Sequence, residues 1–305
     1  MSDRRASTFV ISLTAFREDG ALDEAGQRGH FRRLASAGIG VYVGGSGSGE
    51  GYVLTRDERR RLFEIAREEL SGRVPVRAMG VEPRSAGEVI ELARDAREVG
   101  LDAIQLYSLD QGHGYRPRPE ELERYLGDVL DAVDCPVVLS SHQAMGYDLP
   151  SSLVARIVER HPNVIGINFT HQALPGLVRM LEVLDGRIDL HVGGPMQALT
   201  ALALGAQGFL SSEGNLAPRL CVSVIEHHRR GELAARDAAF AKVLRLFTAT
   251  QRGGGMSAAK GALRRLGLPG GWPRRPRLPV EASVAADLAG CFEALGLRAV
   301  EGLDV

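Results

Sequence analysis

Five side chains with acid/base or metal-binding chemistry, Asp110, His113, His142, His171 and Glu213, each stand just after a short apolar run of the sequence. Imidazole beside carboxylate supplies general acid/base catalysis near neutral pH, and the same groups can ligate a divalent cation. No HxH or HExxH spacing accompanies them, so the expectation is proton transfer without a bound metal. The competing reading is that these are solvated or structurally hydrogen-bonded loop residues. A second set is small and polar. Ser140, Ser141 and Asn168 close two apolar runs, where they can hold a substrate carbonyl or hydroxyl and Asn168 can polarise an oxyanion, or merely fill space. A third is glycine-rich: Gly47, Ser48, Gly49 and Glu50 can cradle a carboxylate with backbone N–H groups and a hydroxyl, or form a turn that closes a strand. Tyr107, Tyr115 and Tyr147 offer hydroxyls or packing; Asn215 reads as a loop-fixing residue, and His227 and His228 as part of a solvated helix face.

The elements that must position these residues alternate in kind. Strand candidates are Thr8–Leu13, Gly40–Gly44, Val74–Met79, Asp102–Tyr107, Pro136–Ser141, Val164–Asn168, Ile188–Val192 and Gly208–Ser211. Each is a nearly continuous apolar run, as parallel strands covered on both faces require. Between them lie amphipathic patterns such as Arg56–Leu70 and Ala86–Val99, each with an apolar stripe at helical spacing. Thr55, followed by Asp57 and Glu58, reads as a helix start; Gly38, Gly72 and Gly100 read as helix stops. Eight β-then-α units in series are the arithmetic of an α/β protein, a (β/α)8 TIM barrel. An open doubly wound sheet competes, but no GxGxxG turn follows the first strand. The barrel is expected over residues 1–231. Residues 232–305, with helices at Glu232–Thr248, Ser257–Leu266 and Val280–Leu295, are expected as a C-terminal helical extension packed on it. In such a barrel the site forms where strands end, which adds Gly194 to the candidates.

Composition narrows the function classes. With 37 basic against 38 acidic residues and a net charge of −1, no basic block exists to neutralise phosphates, so nucleic-acid binding is not expected. Three widely spaced cysteines make no disulfide framework or structural zinc site. The N-terminal apolar stretch is too short and interrupted for a signal peptide or membrane span, so a cytoplasmic protein without membrane association is expected. Only two of the basic residues, Lys242 and Lys260, are lysines.

The segment GSGSGEGYVLTRDER (Gly45–Arg59) resembles the second-strand loop of the dihydrodipicolinate synthase/N-acetylneuraminate lyase superfamily. VPVRAMGV, GLDAIQLY, CPVVLSS, VIGIN, GFLSSEGNLAP and AAKGALRRLGL match later landmarks of that superfamily in order, over nearly the whole chain. The resemblance implies a TIM barrel with a three-helix extension, assembled as a dimer or homotetramer. It also implies a reaction in which a lysine ending the sixth strand forms an imine with pyruvate or another 2-keto acid. Here the matching position is Asn168, whose amide nitrogen is not nucleophilic. Lys260 matches a lysine of the extension, not of the barrel. The proton-shuttling tyrosine of the fifth strand is matched by Ser140, the carboxylate-binding arginine has no counterpart in His142–Gly146, and Asp110 lies near the place of a tyrosine borrowed from a neighbouring subunit.

These readings lead to an expected lyase or aldolase acting on a small 2-keto or hydroxy acid, by retro-aldol cleavage, dehydration or a related elimination, without a lysine imine and without a cofactor. Asn168, Ser140, His142 and His171 are the expected catalytic residues; Gly47, Ser48, Gly49, Asp110, Gly194 and Glu213 are the expected substrate contacts. A non-catalytic barrel that binds a small carboxylate is the alternative, and a metal-dependent lyase using His142, His171 and Glu213 or Asp110 is a third.

Overall fold

The structure, a computed structural model, describes residues 6–171 and 173–303. Eight parallel strands pair in sequence order as a closed barrel: β1 (Ser7–Ile11), β2 (Gly40–Val43), β3 (Val76–Ala78), β4 (Ala103–Leu106), β5 (Val137–His142), β6 (Val164–Thr170), β7 (Asp189–Gly193) and β8 (Gly208–Leu210). Helices follow the strands: α1 (Glu24–Ala37), α2 (Arg56–Leu70), α3 (Ala86–Val99), α4 (Pro119–Ala132), α5 (Ser151–Arg160), α6 (Leu174–Leu184), α7 (Ala198–Ala203) and α8 (Pro218–Arg229). The C-terminal region adds α9 (Leu233–Arg252), α10 (Met256–Arg265), α11 (Ala282–Ala294) and the short α12 (Leu297–Glu301). This is a (β/α)8 barrel with C-terminal helices. The residues group into two compact units, one of Arg77–Leu210 and the other of Ser7–Val76 with the stretch from Ser211 onward. The C-terminal helices therefore share a unit with the first two βα repeats.

Local chemistry fixes the helix limits. The Thr55 hydroxyl accepts from the Glu58 N–H, and the Glu58 carboxylate accepts from the Thr55 N–H, closing a reciprocal cap at the residue where the sequence places the start of α2. Gly100, at φ 85°, ends α3 where a side chain would be strained. Strand limits shift by one or two residues from expectation, and the ends of β1, β5 and β6 bear on the site. Leu13 leaves β1 because its N–H donates to Asn215 Oδ1 at 2.9 Å. In the other unit β5 and β6 run on to His142 and Thr170, which pair with each other. His142 thus belongs to a strand, not to the following loop.

Two histidines are packed out of solvent. His30 on α1 sits 3.0 Å from Asn215 Oδ1 through Nε2; its Nδ1 has no partner, as a neutral ring allows. Burial, aided by Arg33, brings its pKa down to about 3. In the other unit, burial and then Arg77 bring His191 of β7 down to about 3. An unfolded chain binds a proton at each imidazole below pH 6.5, whereas the folded protein refuses it until about pH 3. The stability they confer is complete above pH 6.5 and falls as pH drops through that window, by about 1.4 kcal/mol per unit for each ring. Glu213 and Glu301, raised by burial, work in the opposite sense. Urea unfolding at pH 7 and pH 5.5 should show the drop, and His30→Gln should flatten it. An unchanged midpoint between the two pH values would refute the neutral-histidine assignment.

Candidate active site

Residues Arg77–Leu210 carry a polar cluster built by strand alternation. Ser140, Asn168 and His191 are register partners on β5, β6 and β7, so their side chains share one face. Phe169 and His171 take the opposite face, where the His171 ring abuts Gly176 of α6; the Asn168 face is therefore the barrel interior. Asn168 is 4% exposed. Its Nδ2 donates to Gln105 Oε1 of β4, and its Oδ1 has no partner. Gln105 belongs to the same face through its register with Val138, two residues before Ser140.

Tyr147 completes this cluster. The loop after β5 turns back on itself, with the His142 N–H donating to the Tyr147 carbonyl at 2.8 Å. The turn brings the Tyr147 phenol near Ser140, with its O–H donating to Glu82 Oε1 at 3.3 Å. Burial first, and the Glu82 carboxylate second, hold this phenol protonated well above its ordinary range. Tyr107 meets the Tyr147 ring edge-on at 6.2 Å. His142 is half-buried, with its ring 6.1 Å from that of Tyr147 and its Nδ1 without a partner. Burial lowers its pKa, so at neutral pH it is an uncharged imidazole able to accept a proton. At Gly193, a Cβ would lie 1.8 Å from Thr170 Oγ1, so a glycine there leaves room for that hydroxyl beside the cluster.

The structure does not bring every expected residue here. His171 stacks on Phe169 with ring centroids 5.5 Å apart; its Nδ1 accepts from the Ala173 N–H at 3.2 Å and its Nε2 is 3.5 Å from Asp148. Alternation turns it toward α6, away from Asn168. Ser141 faces the same way and donates to Asp148 at 3.0 Å. Asp110 is exposed and accepts the Gly112 N–H at 3.1 Å, a local turn bond. The Gly194 N–H is taken by the Leu210 carbonyl at 2.7 Å. Conversely, Gln105, Glu82 and the placement of Tyr147 were not expected. For Gln105 a signal existed: it is the one polar residue within the run Ala103–Leu106.

The second unit holds the glycine-rich loop. Gly47–Gly49 form a single turn of 3-10 helix in which the Gly49 N–H donates to the Ser46 carbonyl at 3.2 Å and the Gly49 carbonyl accepts from Thr14 Oγ1 at 2.6 Å. Gly49 is thus committed to the loop itself, not to an anion. Glu50 follows at φ 51° and is fully buried; its carboxylate takes Lys260 Nζ and the Arg274 N–H at 3.0 Å. Lys260 donates also to the carbonyls of Thr14 at 2.6 Å and Trp272 at 2.9 Å, so all three of its protons are placed. Burial lowers its pKa to about 8. Lys242, the only other lysine, lies on α9. Glu213 is 1% exposed and folded onto its own loop, accepting from the Ser211 and Ser212 hydroxyls. Asn215 ties that loop to β1 through Ile11 and Leu13. Among the described residues no three His, Cys, Asp or Glu side chains group so as to hold a metal ion, and no helix is long and apolar enough to cross a membrane.

The fold is a closed parallel barrel with C-terminal helices, and polar side chains share its interior face near the ends of β4, β5 and β6. Residues 5–294 match the Dihydrodipicolinate synthetase family, and the chain belongs to that family, a group of lyases and synthases. It is 28% identical to a 4-hydroxy-tetrahydrodipicolinate synthase of Acidiphilium cryptum over 293 residues, 96% of this chain and 99% of that one. It is 31% identical over 226 residues to YagE of Escherichia coli, provisionally named a 2-dehydro-3-deoxy-D-gluconate aldolase, covering 72% of this chain and 73% of YagE. The crystal structure of YagE in complex with pyruvate superposes with a TM-score of 0.87 at 27% identity, over 96% and 99% of the two chains. A monomeric dihydrodipicolinate synthase variant shares the fold, with a TM-score of 0.89 at 21% identity over 96% and 97% of the chains.

Proposed function

We propose that this family member is a lyase that makes or breaks a bond in a small 2-keto or hydroxy acid without forming a lysine imine. The observation that carries the reading is the amide of Asn168, bonded to Gln105, at the strand position where the resemblance places the imine-forming amine. Both lysines lie outside β6, and Lys260 has each N–H in a hydrogen bond. With no covalent electron sink, charge developing on a substrate oxygen must be met by fixed donors. The protonated phenol of Tyr147, near Ser140, is such a donor. In retro-aldol cleavage, neutral His142 takes the proton of the substrate hydroxyl and the C–C bond breaks. The bonding pair moves into the adjacent carbonyl, whose oxygen the Ser140 and Tyr147 hydroxyls stabilise. Dehydration would use the same base and the same donors.

Sodium borohydride added with pyruvate tests the lysine argument. An imine would be reduced to a stable adduct visible in the intact mass; the expected result is an unmodified chain. A panel of 2-keto and hydroxy acids, followed by product detection, tests the activity. Mass gain at either lysine overturns the imine-free reading, and stabilisation by ligands without turnover of any of them overturns the lyase reading in favour of a binding protein.

A further inference from the structure

The hydrogen-bond state of Asn168 bears on which oxygen a ligand presents there. One N–H of its amide is engaged by Gln105. Its Oδ1 is buried and has no partner, which is an uncommon state for a polar atom in a folded interior. A ketone oxygen has lone pairs only, so it can answer the second N–H but leaves Oδ1 without a donor. A hydroxyl is donor and acceptor at once and satisfies Oδ1 directly. The Ser140 and Tyr147 hydroxyls of the same cluster leave Oδ1 unpartnered.

We infer that Asn168 is a specificity-determining residue that accepts a hydrogen bond from a substrate hydroxyl, so that the cluster selects a hydroxy acid over the keto acid of the same carbon skeleton. The inference rests on the cluster being the substrate site of the proposed lyase. An unsatisfied buried acceptor is worth roughly one to two powers of ten in binding, so the hydroxy acid of a matched pair should bind about tenfold to a hundredfold more tightly.

Calorimetric titration of the full chain with lactate against pyruvate, and with glycerate against hydroxypyruvate, reads this ratio. The hydroxy acids should bind more tightly. Asn168→Asp, which keeps an acceptor and lets Gln105 turn its own amide N–H inward, should preserve the preference; Asn168→Leu, close in shape but without polar atoms, should erase it. Tighter or equal binding of the keto acids, an unchanged preference in Asn168→Leu, or binding of neither class would overturn the inference. The wild-type comparison alone decides even if a variant fails to fold. Product detection on the same samples separates the two readings: hydroxy-acid preference without turnover removes the lyase reading only, whereas turnover with keto-acid preference removes the inference only.

Discussion

Replacing Lys260 with methionine is expected to lower folding stability by about 3–5 kcal/mol, the range for removing one partner of a buried ion pair. Methionine fills the volume of the lysine stem but leaves the Glu50 carboxylate buried, with the Arg274 N–H as its one remaining partner among the described residues. It also strips the Thr14 and Trp272 carbonyls of a donor each. The loss should be seen at the loop as well as globally. Glu50 holds a left-handed backbone conformation at φ 51°, which a non-glycine residue keeps only when its side chain is tied down, and Gly49 before it is bonded to Thr14. Guanidinium unfolding should therefore give a lower midpoint, and limited proteolysis should cut within residues 45–54 more readily than in wild type. Adding Glu50→Gln to Lys260→Met removes the stranded charge and should restore part of the loss. A single-variant loss below about 1 kcal/mol, typical of an exposed pair, would show that this buried pair is not a structural tie.

The fold was legible in the sequence because its signals are local. Parallel strands covered on both faces read as apolar runs, and the limits of α2 and α3 coincide with expectation because Thr55 and Gly100 act within a turn of the helix ends. The site was legible in part. Ser140 and Asn168 fall on one face by simple alternation, which needs only the strand phase. His171 did not follow, because β6 was expected to end at Asn168; once the strand continues to Thr170, the same alternation turns His171 outward. Tyr147 was out of reach for a different reason: its position depends on a loop that folds back to pair with His142, and no periodicity encodes that. The Glu50–Lys260 pair joins residues 210 positions apart. Such a contact exists only after the C-terminal helices have packed, so the loop glutamate read from sequence as part of an anion cradle is instead the anchor of that loop.

His142→Ala should reduce kcat by about 10²- to 10⁴-fold on whichever substrate the panel identifies, the usual contribution of a positioned general base. The side chain is half-buried and its Nδ1 has no partner to strand, so folding stability should change little. The pH profile separates a proton-transfer role from a structural one. Because burial holds the imidazole below its ordinary pKa of 6.5, it is neutral and active at pH 7, and kcat/KM should stay level down to pH 6.5 and fall only at lower pH as the ring takes up a proton. In His142→Ala that acid limb should disappear along with the rate. His171→Ala is the informative contrast: it removes a ring stacked on Phe169 and packed against α6, so it should weaken folding while leaving kcat within a few-fold of wild type. If His171→Ala instead abolishes turnover with stability intact, or if His142→Ala keeps both rate and acid limb, the base has been assigned to the wrong strand.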